Sequence, residues 1–446
     1  MERVQARPTI VHQAAPRGPV TISSERYVSP AWMARETESL WDRVWMFACL
    51  ERDVATAGEY ATFTIADESI LIVRTDAGEL AAMYNVCQHR GMRLVTGERG
   101  CTKSFECGYH GWTYRNDGRL IVVPDNARFD GGVDRSTRSL QPLRVDTWAG
   151  LVWVCMDPGA VPLRDYLAGV AELVDPYRLE EMTLIGDQTV HLDCNWKAVF
   201  DNFGELYHVE HIHPQHKTLF DCPTAQVDLF GNGHSSVTID GHTVNTRLAI
   251  PDEPTPYLAQ QLEVWGLDPS DYVGRVLDVR KDIQKLRREC APQLGFDFDA
   301  LSDDRLSDVE QYNVFPNTML TVQPDSALVM RARPHPTDPG RCLWDKFTFR
   351  LAPDKAVADR AGGPFTPHAS TLFEQPSRPE HDEFTQDDVI AGRKTMTITI
   401  DQDIHLIRDV QRGMRSRGFR TALLSADESR VQHYHDWLDH LLDAPS

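Results

Sequence analysis

Two short motifs in the first third of the sequence place cysteine and histidine together at metal-ligand spacing. Cys87-Gln-His89 and Cys107-Gly-Tyr-His110 each offer one thiolate and one imidazole, and seventeen residues separate the two motifs. Two thiolates and two imidazoles suit a two-iron cluster in which Cys residues bind one iron and His residues bind the other. The spacing therefore predicts a [2Fe–2S] cluster held by Cys87, His89, Cys107 and His110.

A structural zinc ion bound by two Cys and two His is the alternative for the same four residues. Zinc fingers usually place two Cys in one motif and two His in the other, whereas each motif here is mixed. Gly91 and Gly108 would also let backbone pass close to a cluster. This comparison favours the iron–sulfur cluster. Cys101 lies between the motifs without a His at ligand spacing, and we expect it to be a plain thiol.

A second group of histidines lies in a segment that is predicted to be one helix from Asn195 to His213, ended by Pro214. A mononuclear Fe(II) that activates O₂ commonly uses two His and one carboxylate, with open positions for O₂ and substrate. On a straight helix positions 208 and 211 share a face, whereas positions 208 and 213 point about 140° apart. Periodicity alone favours His208 with His211, although unwinding before Pro214 would let His213 take the place of His211.

The elements that must position these residues differ between the two halves of the chain. Residues from about 50 to 157 form short alternating runs with turn signals such as Asp117-Gly118, which predicts a small all-β domain. The later sequence mixes strand and helix patterns, which predicts a larger α+β domain. We expect an N-terminal arm and helix at 1–48 that pack on the catalytic domain, a cluster domain at 49–160 and a catalytic domain at 161–446.

Composition limits the class of protein. The chain has 446 residues, of which 41% are hydrophobic and 25% are charged, and this fits a folded protein of two or three domains. Its net charge of −20 argues against binding to nucleic acid or to an anionic membrane surface. No apolar run approaches the ~18 residues that a transmembrane helix needs, and no secretory signal is recognisable, so we expect a cytoplasmic protein.

The cluster motifs also resemble a known family. Cys87-Gln-His-Arg-Gly91 and Cys107-Gly-Tyr-His-Gly-Trp112 are similar to the two cluster-binding loops of Rieske proteins. Taken with the segment from Asn195 to Pro214, the whole chain resembles the catalytic alpha subunit of Rieske non-haem iron aromatic-ring-hydroxylating oxygenases. The resemblance implies a helix-grip-like (START/Bet v 1-like) catalytic domain with an antiparallel sheet, next to the all-β Rieske domain.

The resemblance implies roles for individual residues. The family spaces its iron ligands as H-x₄-H, which selects His208 and His213. Glu205 stands where many members have Asp. It is implied to hydrogen-bond His208 on one side and, on the other, to meet a cluster-ligating histidine, His110, of a neighbouring subunit. Asn202 matches a family Asn near the iron.

The third iron ligand is implied to come from an acidic segment ahead of a helix that contains Val410-Gln-Arg-Gly413. Asp403 stands ten residues before Gly413 and fits the family register better than Asp401, which is the alternative. Since an Asp at the start of a helix is often only a cap, residue type alone does not separate the two.

Together these features imply an O₂-dependent oxygenase that hydroxylates an aromatic or other compact organic substrate, using a [2Fe–2S] cluster and a mononuclear Fe(II). The alternative is a monooxygenase that demethylates or hydroxylates an alkyl, O-methyl or quaternary-amine group. Electrons would come from NAD(P)H only indirectly, through a separate reductase and/or ferredoxin. The family suggests a homotrimer, possibly with beta subunits. A Rieske electron carrier is the alternative of another class, but such a protein needs only about 100 residues.

Overall fold

The computed structural model describes residues 20–352 and 378–444, so the first nineteen residues of the predicted arm lie outside the described residues. The strands are β1 Val20–Ser23, β2 Met46–Leu50, β3 Glu59–Ile65, β4 Glu68–Arg74, β5 Leu80–Tyr84, β6 Arg99–Cys101, β7 Ser104–Glu106, β8 Thr113–Arg115, β9 Leu120–Val122, β10 Pro142–Trp148, β11 Leu151–Cys155, β12 Thr183–Leu192, β13 Gln226–Leu229, β14 Ser235–Ile239, β15 Val309–Val314, β16 Thr318–Gln323, β17 Ser326–Pro334, β18 Cys342–Arg350, β19 Asp382–Thr385 and β20 Thr421–Leu424. The helices are α1 Glu25–Val28, α2 Pro30–Ser39, α3 Leu163–Tyr166, α4 Val170–Val174, α5 Trp196–Asn202, α6 Val209–Ile212, α7 Pro256–Val264, α8 Val279–Cys290, α9 Gln386–Ile390, α10 Ile398–Met414 and α11 Ser429–Asp443.

The chain divides into two compact units. The smaller contains Met33–Tyr166 and the described residues from Leu441 onward, and the larger contains Leu167–His440 with the described residues before Met33. These limits differ from the predicted segments 1–48, 49–160 and 161–446. Residues 33–48 belong with the cluster motifs rather than with the catalytic domain, and one reason is that β2 forms an antiparallel pair with β11.

Two antiparallel sheets build the smaller unit. One has seven strands in the order β2-β11-β10-β5-β4-β3-β6, and the other has three in the order β7-β8-β9. The middle of β4 is a continuous apolar run whose side chains are buried, as expected for a strand covered on both faces. One of its cores contains both motif cysteines, Cys87 and Cys107, packed among Leu71, Phe105 and Trp112. The core therefore anchors both ligand loops at their cysteine ends.

The larger unit is organised around an eight-stranded sheet in the order β13-β14-β15-β16-β17-β18-β12-β19, antiparallel except where β12 meets β19. Helix α5 packs on β17 and β18, and α10 packs on α5. Helix α11 buries Val431, Tyr434 and Leu438 at i, i+3 and i+7, one apolar face. The predicted fold class, α+β with an all-β domain and an antiparallel sheet in a larger domain, is confirmed. Among the helices of the described ranges, none has the length and apolar character needed to cross a membrane.

The prediction of one continuous helix from Asn195 to His213 is wrong. The segment forms two helices, α5 and α6, joined by turns. The interruption lies at Gly204, where an added Cβ would stand 3.0 Å from both the Asp201 carbonyl oxygen and Val431 Cγ2. Because α11 approaches this closely, the position suits only a residue without a side chain. The break places the predicted iron ligands on a short irregular segment.

Candidate metal centres

The two cluster motifs form loops with the same backbone pattern. In each loop the Cys amide donates to the carbonyl five residues on, and the amide four residues on donates to the Cys carbonyl. The two distances are 2.8 and 3.0 Å at Cys87, and 2.8 and 2.9 Å at Cys107. The fourth residue is Gly91 or Gly111, with φ of +76° and +70°. A residue with a side chain adopts such a φ only at a cost, so these glycines let each loop turn back and present its ligands.

The four predicted cluster ligands differ in exposure. Cys87 and Cys107 are buried, whereas His110 is exposed and its ring centroid lies 4.6 Å from that of His89. His89 stacks on Trp112 at 4.9 Å. Its buried Nδ1 has no hydrogen-bond partner among the described residues. A buried nitrogen without a partner suits a metal ligand. The difference in exposure places the cysteines on the inner side of the site and the imidazoles on the outer side.

Tyr114 adds a polar contact to the cysteine side of this site. Its ring is fully buried, and its hydroxyl oxygen accepts a hydrogen bond from the Gln88 amide at 2.9 Å. The same oxygen lies 3.3 Å from Cys87 Sγ. Since the oxygen accepts from the amide, its hydrogen is free to be donated to the sulfur. Such hydrogen bonds raise the reduction potential of a cluster because they stabilise its more negative, reduced form.

In the larger unit, three side chains that are distant in sequence converge. Ligand atoms of His208, His213 and Asp403 all lie within 4.8 Å of one another. Asp403 Oδ1 stands 3.2 Å from His213 Nε2 and 3.7 Å from His208 Nε2. His213 and Asp403 are buried and His208 is half-buried. The structure thus brings together the two His and one carboxylate that the sequence predicted.

Each imidazole is oriented by a hydrogen bond on its other nitrogen. His208 Nδ1 bonds Glu205 Oε1, and the His208 amide donates to Glu205 Oε2 at 3.1 Å. His213 Nδ1 lies 2.8 Å from Gln402 Oε1. Amide and carboxylate oxygens accept only, so in the neutral rings both Nδ1 atoms carry the proton and both Nε2 atoms present a lone pair towards Asp403. This is the tautomer that binds a metal through Nε2.

Gln402 is a site residue that the sequence analysis missed. It precedes Asp403 on α10, and its Oε1 also accepts from Gln215 Nε2 at 2.8 Å. The two glutamines therefore join α10 to the chain just after the predicted ligand His213. The only sequence signal for Gln402 is its place beside Asp403, and a glutamine in a polar helix is too common for that signal to stand out.

The buried carboxylate fits a metal ion. Asp403 Oδ1 makes no hydrogen bond within the described ranges. Burial pulls the pKa of His213 down, but Asp403 and Gln402 outweigh it, so this pKa lies above its usual value. The raised pKa favours a second proton on His213, at Nε2 facing Asp403; a metal cation bound there would displace this proton and neutralise Asp403 at the same time. Two imidazoles and one carboxylate are the donor set of non-haem Fe(II).

The two competing ligands have other surroundings. Asp401 accepts hydrogen bonds from the Met396 amide at 2.8 Å and from Thr395 Oγ1 at 2.5 Å. It therefore ties down the chain just before α10, as a cap does. His211 is exposed and does not belong to the group formed by the other two histidines and Asp403. His211 and Asp401 thus lie outside the group that His208, His213 and Asp403 form in the structure.

Asn202 ends α5 and lines a narrow cavity beside Asp403. Phe203 and Trp344 form an aromatic wall of the same cavity, with ring centroids 5.4 Å apart in an edge-to-face arrangement. The remaining lining residues are aliphatic: Val199, Ile404 and Ile407. This space is apolar except for one amide and one carboxylate, and it is too narrow to hold a water molecule.

Comparison with known proteins identifies both domains. The model of the Rieske [2Fe-2S] domain matches residues 44–144, and that of the ring hydroxylating alpha subunit (catalytic domain) matches residues 179–444, more than half of the chain. The chain belongs to the ring-hydroxylating alpha-subunit family. Its cofactors are therefore the [2Fe–2S] cluster of the Rieske domain and the mononuclear iron of the catalytic domain, and this prediction from the sequence is confirmed.

Individual members of this family differ in their substrates. The glycine betaine monooxygenase oxygenase subunit of Chromohalobacter salexigens is 31% identical over 189 residues, which are 42% of this chain and 42% of that protein. The large oxygenase component of the naphthalene 1,2-dioxygenase system of Pseudomonas aeruginosa is 33% identical over 185 residues, 40% of this chain and 41% of that protein. The matched segments thus span less than half the length of these relatives.

Solved structures share the fold over almost the whole chain. The quaternary ammonium Rieske monooxygenase in complex with its substrate L-carnitine superposes with a TM-score of 0.65 and 19% identity, covering 95% of this chain and 96% of that one. The Rieske domain and the catalytic domain therefore have the architecture of a Rieske oxygenase subunit.

We expect Tyr114→Phe to lower the reduction potential of the cluster by tens of millivolts, on the order of one lost hydrogen bond to a charged group. A redox titration followed by visible absorbance measures the change. Tyr84→Phe on β5 is the control, because the Tyr84 hydroxyl is influenced by Glu68 and Asp42 and not by Cys87. Equal potentials in the wild type and Tyr114→Phe would contradict the proposed hydrogen bond to Cys87.

We expect Asp403→Asn to reduce the affinity of the mononuclear site for iron at least about tenfold, since it removes the only charged ligand. Asp401→Asn should keep the iron and cost about 1 kcal/mol of stability, the usual cost of losing a cap. Iron per chain, measured alongside the absorbance of the cluster, separates the two variants. Iron loss from Asp401→Asn with retention in Asp403→Asn would reverse the assignment.

Proposed function

We propose that this chain is the oxygenase component of a Rieske system that uses O₂ to oxidise a compact organic substrate. The observation that carries the proposal is the convergence of His208, His213 and Asp403 in a member of this family. These residues would hold the mononuclear iron, and the Cys and His residues of the two loops would hold the cluster. When bound, the iron supplies O₂ activation and the cluster supplies a stored electron.

The protein's own residues orient the ligands and limit the access of water. Glu205 and Gln402 keep the Nδ1 atoms protonated, so both Nε2 atoms remain directed at one point. His213 and Asp403 are 2% and 6% exposed, so bulk water does not compete for their ligand atoms. The narrow apolar space on the Asp403 side would have to widen to admit a substrate, and Asn202 would then offer it an uncharged hydrogen-bonding group.

We assign Glu205 a second task, as the link to the cluster of another copy of the chain. Glu205 borders an open cavity, and its carboxylate already binds His208. His110 is exposed on the tip of the second cluster loop. A hydrogen bond from His110 of a neighbouring copy to Glu205 would connect the two centres. A closed head-to-tail ring, such as a homotrimer with or without beta subunits, supplies this contact to every copy.

Electrons would reach the cluster from NAD(P)H through a separate reductase and/or ferredoxin, and we place this system in the cytoplasm. This chain has a net charge of −20, so its acidic surface would attract a basic electron donor.

Within this chemistry we favour a quaternary ammonium group as the site of oxidation, by monooxygenation. One relative is a glycine betaine monooxygenase subunit, and one solved structure is a quaternary ammonium monooxygenase with L-carnitine. Phe203 and Trp344 lie beside Asp403 and would offer aromatic faces to such an ion once this space widens, because quaternary ammonium ions bind aromatic faces through cation–π attraction. The carboxylate of Asp403 lines the same cavity.

Hydroxylation of an aromatic ring is the second candidate. The naphthalene dioxygenase component is as similar in sequence, and the apolar and aromatic residues beside Asp403 would also suit a flat ring once the space between them widens. A screen of both compound classes under ¹⁸O₂, with a surrogate reductase, separates the candidates. One labelled oxygen, or release of an aldehyde, supports monooxygenation, and two labelled oxygens support ring dihydroxylation. A protein with both metals loaded and reduced that oxidises neither class would contradict the proposed function.

We expect Glu205→Gln to retain both metals but to slow reoxidation of the reduced cluster by about a hundredfold or more, because the amide cannot replace both acceptor bonds of the carboxylate. Stopped-flow absorbance after mixing with O₂ and substrate measures this rate. Glu263→Gln on the exposed face of α7 is the control. Reoxidation at the wild-type rate in Glu205→Gln would contradict the bridge.

We expect Trp344→Leu to raise KM for a trimethylammonium substrate by about tenfold, which corresponds to the loss of 1–2 kcal/mol of cation–π attraction. The neutral tert-butyl analogue has the same shape and should bind nearly as well to the variant as to the wild type. Binding is followed by the perturbation of the iron spectrum. Trp344→Phe keeps an aromatic face and should restore much of the preference. An equal loss for both compounds would mean that Trp344 contributes shape only.

A further inference from the structure

A cavity of about 320 Å³ opens beside Glu205. Its walls carry three carboxylates, those of Glu205, Glu210 and Asp427, and two guanidinium groups, those of Arg247 and Arg430. Of these five charged groups, only Glu205 has a role in binding His208 and in the proposed bridge to the cluster. The distribution of charge around this cavity therefore needs an explanation.

Arg430 is an unusual member of this group because it is buried. It stands in the first turn of α11, and the residue is only 2% exposed. Its Nε donates to Ser235 Oγ at 3.2 Å, which fixes the plane of the guanidinium. Nη1 and Nη2 make no hydrogen bond within the described part of the chain. A buried cation is retained at a high cost unless an anion compensates it.

Glu205 and Arg430 line the same cavity, and Glu205 is the anion there that the iron site uses. The other arginine of the cavity, Arg247, is already paired with Glu210 and with Asp221. Burial lowers the pKa of Arg430 to about 9, and the charge of Glu205 opposes this shift. The two groups make no direct hydrogen bond, so their attraction acts through space. Because Arg430 is buried, such an attraction is stronger than between two groups at an open surface.

We propose that Arg430 is the positioning residue of Glu205: its fixed guanidinium holds the carboxylate in place between His208 and the cavity. The inference rests on the proposed function, in which the cluster loop of a neighbouring copy covers Glu205. Covering would strip water from a carboxylate that has only the imidazole and amide of His208 as donors. The cation of Arg430 then replaces the lost solvation and keeps Glu205 from turning towards the new surface.

The test compares Arg430→Met with Glu205→Gln and with the double variant, in protein loaded with both metals. We expect Arg430→Met to keep its iron and its cluster spectrum but to slow cluster reoxidation by about tenfold or more. The double variant should be no slower than Glu205→Gln alone, because Arg430 acts through Glu205. In iron-free protein, the effects of the two substitutions on thermal unfolding should also be non-additive. Arg430→Lys, which retains the charge, should recover part of the rate.

Two controls make the result specific. Ser235→Ala removes the bond that orients the guanidinium and should give a smaller slowing than Arg430→Met. Arg287→Met removes another buried arginine, on α8, and should lower stability without changing the reoxidation rate. If Arg430→Met is poorly folded, Arg430→Lys and Ser235→Ala carry the test.

The outcomes separate the two proposals. A wild-type reoxidation rate in Arg430→Met, or independent effects of Arg430→Met and Glu205→Gln in the double variant, would overturn the role of Arg430 alone. A wild-type rate in Glu205→Gln would instead overturn the bridge on which the inference rests.

Discussion

The larger unit depends on a carboxylate that is buried against two imidazoles. Removing an ionised carboxylate from water costs several kcal/mol unless a cation or hydrogen bonds compensate it. Asp403 Oδ1 lies 3.7 Å from His208 Nε2 and 3.2 Å from His213 Nε2. In the neutral rings, each Nδ1 proton is donated to Glu205 or Gln402, so each ring directs an unprotonated Nε2 towards Asp403. Three lone pairs that face each other repel. A metal ion turns this repulsion into attraction, so binding of the metal and folding of the site are coupled.

The register of α10 against its neighbours decides whether the Asp403 carboxylate faces His208 and His213. Gln386 Nε2 donates to the Ile404 carbonyl at 2.6 Å, and the Asn195 amide donates to Gln411 Oε1 at 2.8 Å. Asn195 also caps the start of α5 with its side chain. One buried polar network therefore fixes α10 against the helix that leads to the histidines. A slip of one residue along α10 would rotate Asp403 by about 100° out of the site.

How far the sequence predicts each centre follows from how local its construction is. The cluster loops repeat one pattern within six residues, with Cys, His and Gly at set spacing, so the motif alone predicts the ligands and the turns. The mononuclear site joins segments about 190 residues apart, and only a family resemblance selects His213 and Asp403 over their neighbours. The break at Gly204 escapes periodicity because it arises from the close approach of α11, a tertiary contact. Periodicity also cannot reveal the role of Gln402, because its hydrogen bond to His213 is a tertiary contact as well.

The break that the sequence hides also makes Glu205 available for its two contacts. In a continuous helix the His208 amide would donate to the carbonyl of Gly204, four residues before it. Since the helix ends before that point, this amide is unpaired within the backbone and binds Glu205 Oε2 instead, while Oε1 binds His208 Nδ1. The carboxylate is thereby clamped to the backbone and to the ring of one residue, so its position follows the ligand directly. A helix without the break would leave Glu205 as an ordinary surface carboxylate, and the imidazole of His208 would lose the group that fixes its tautomer.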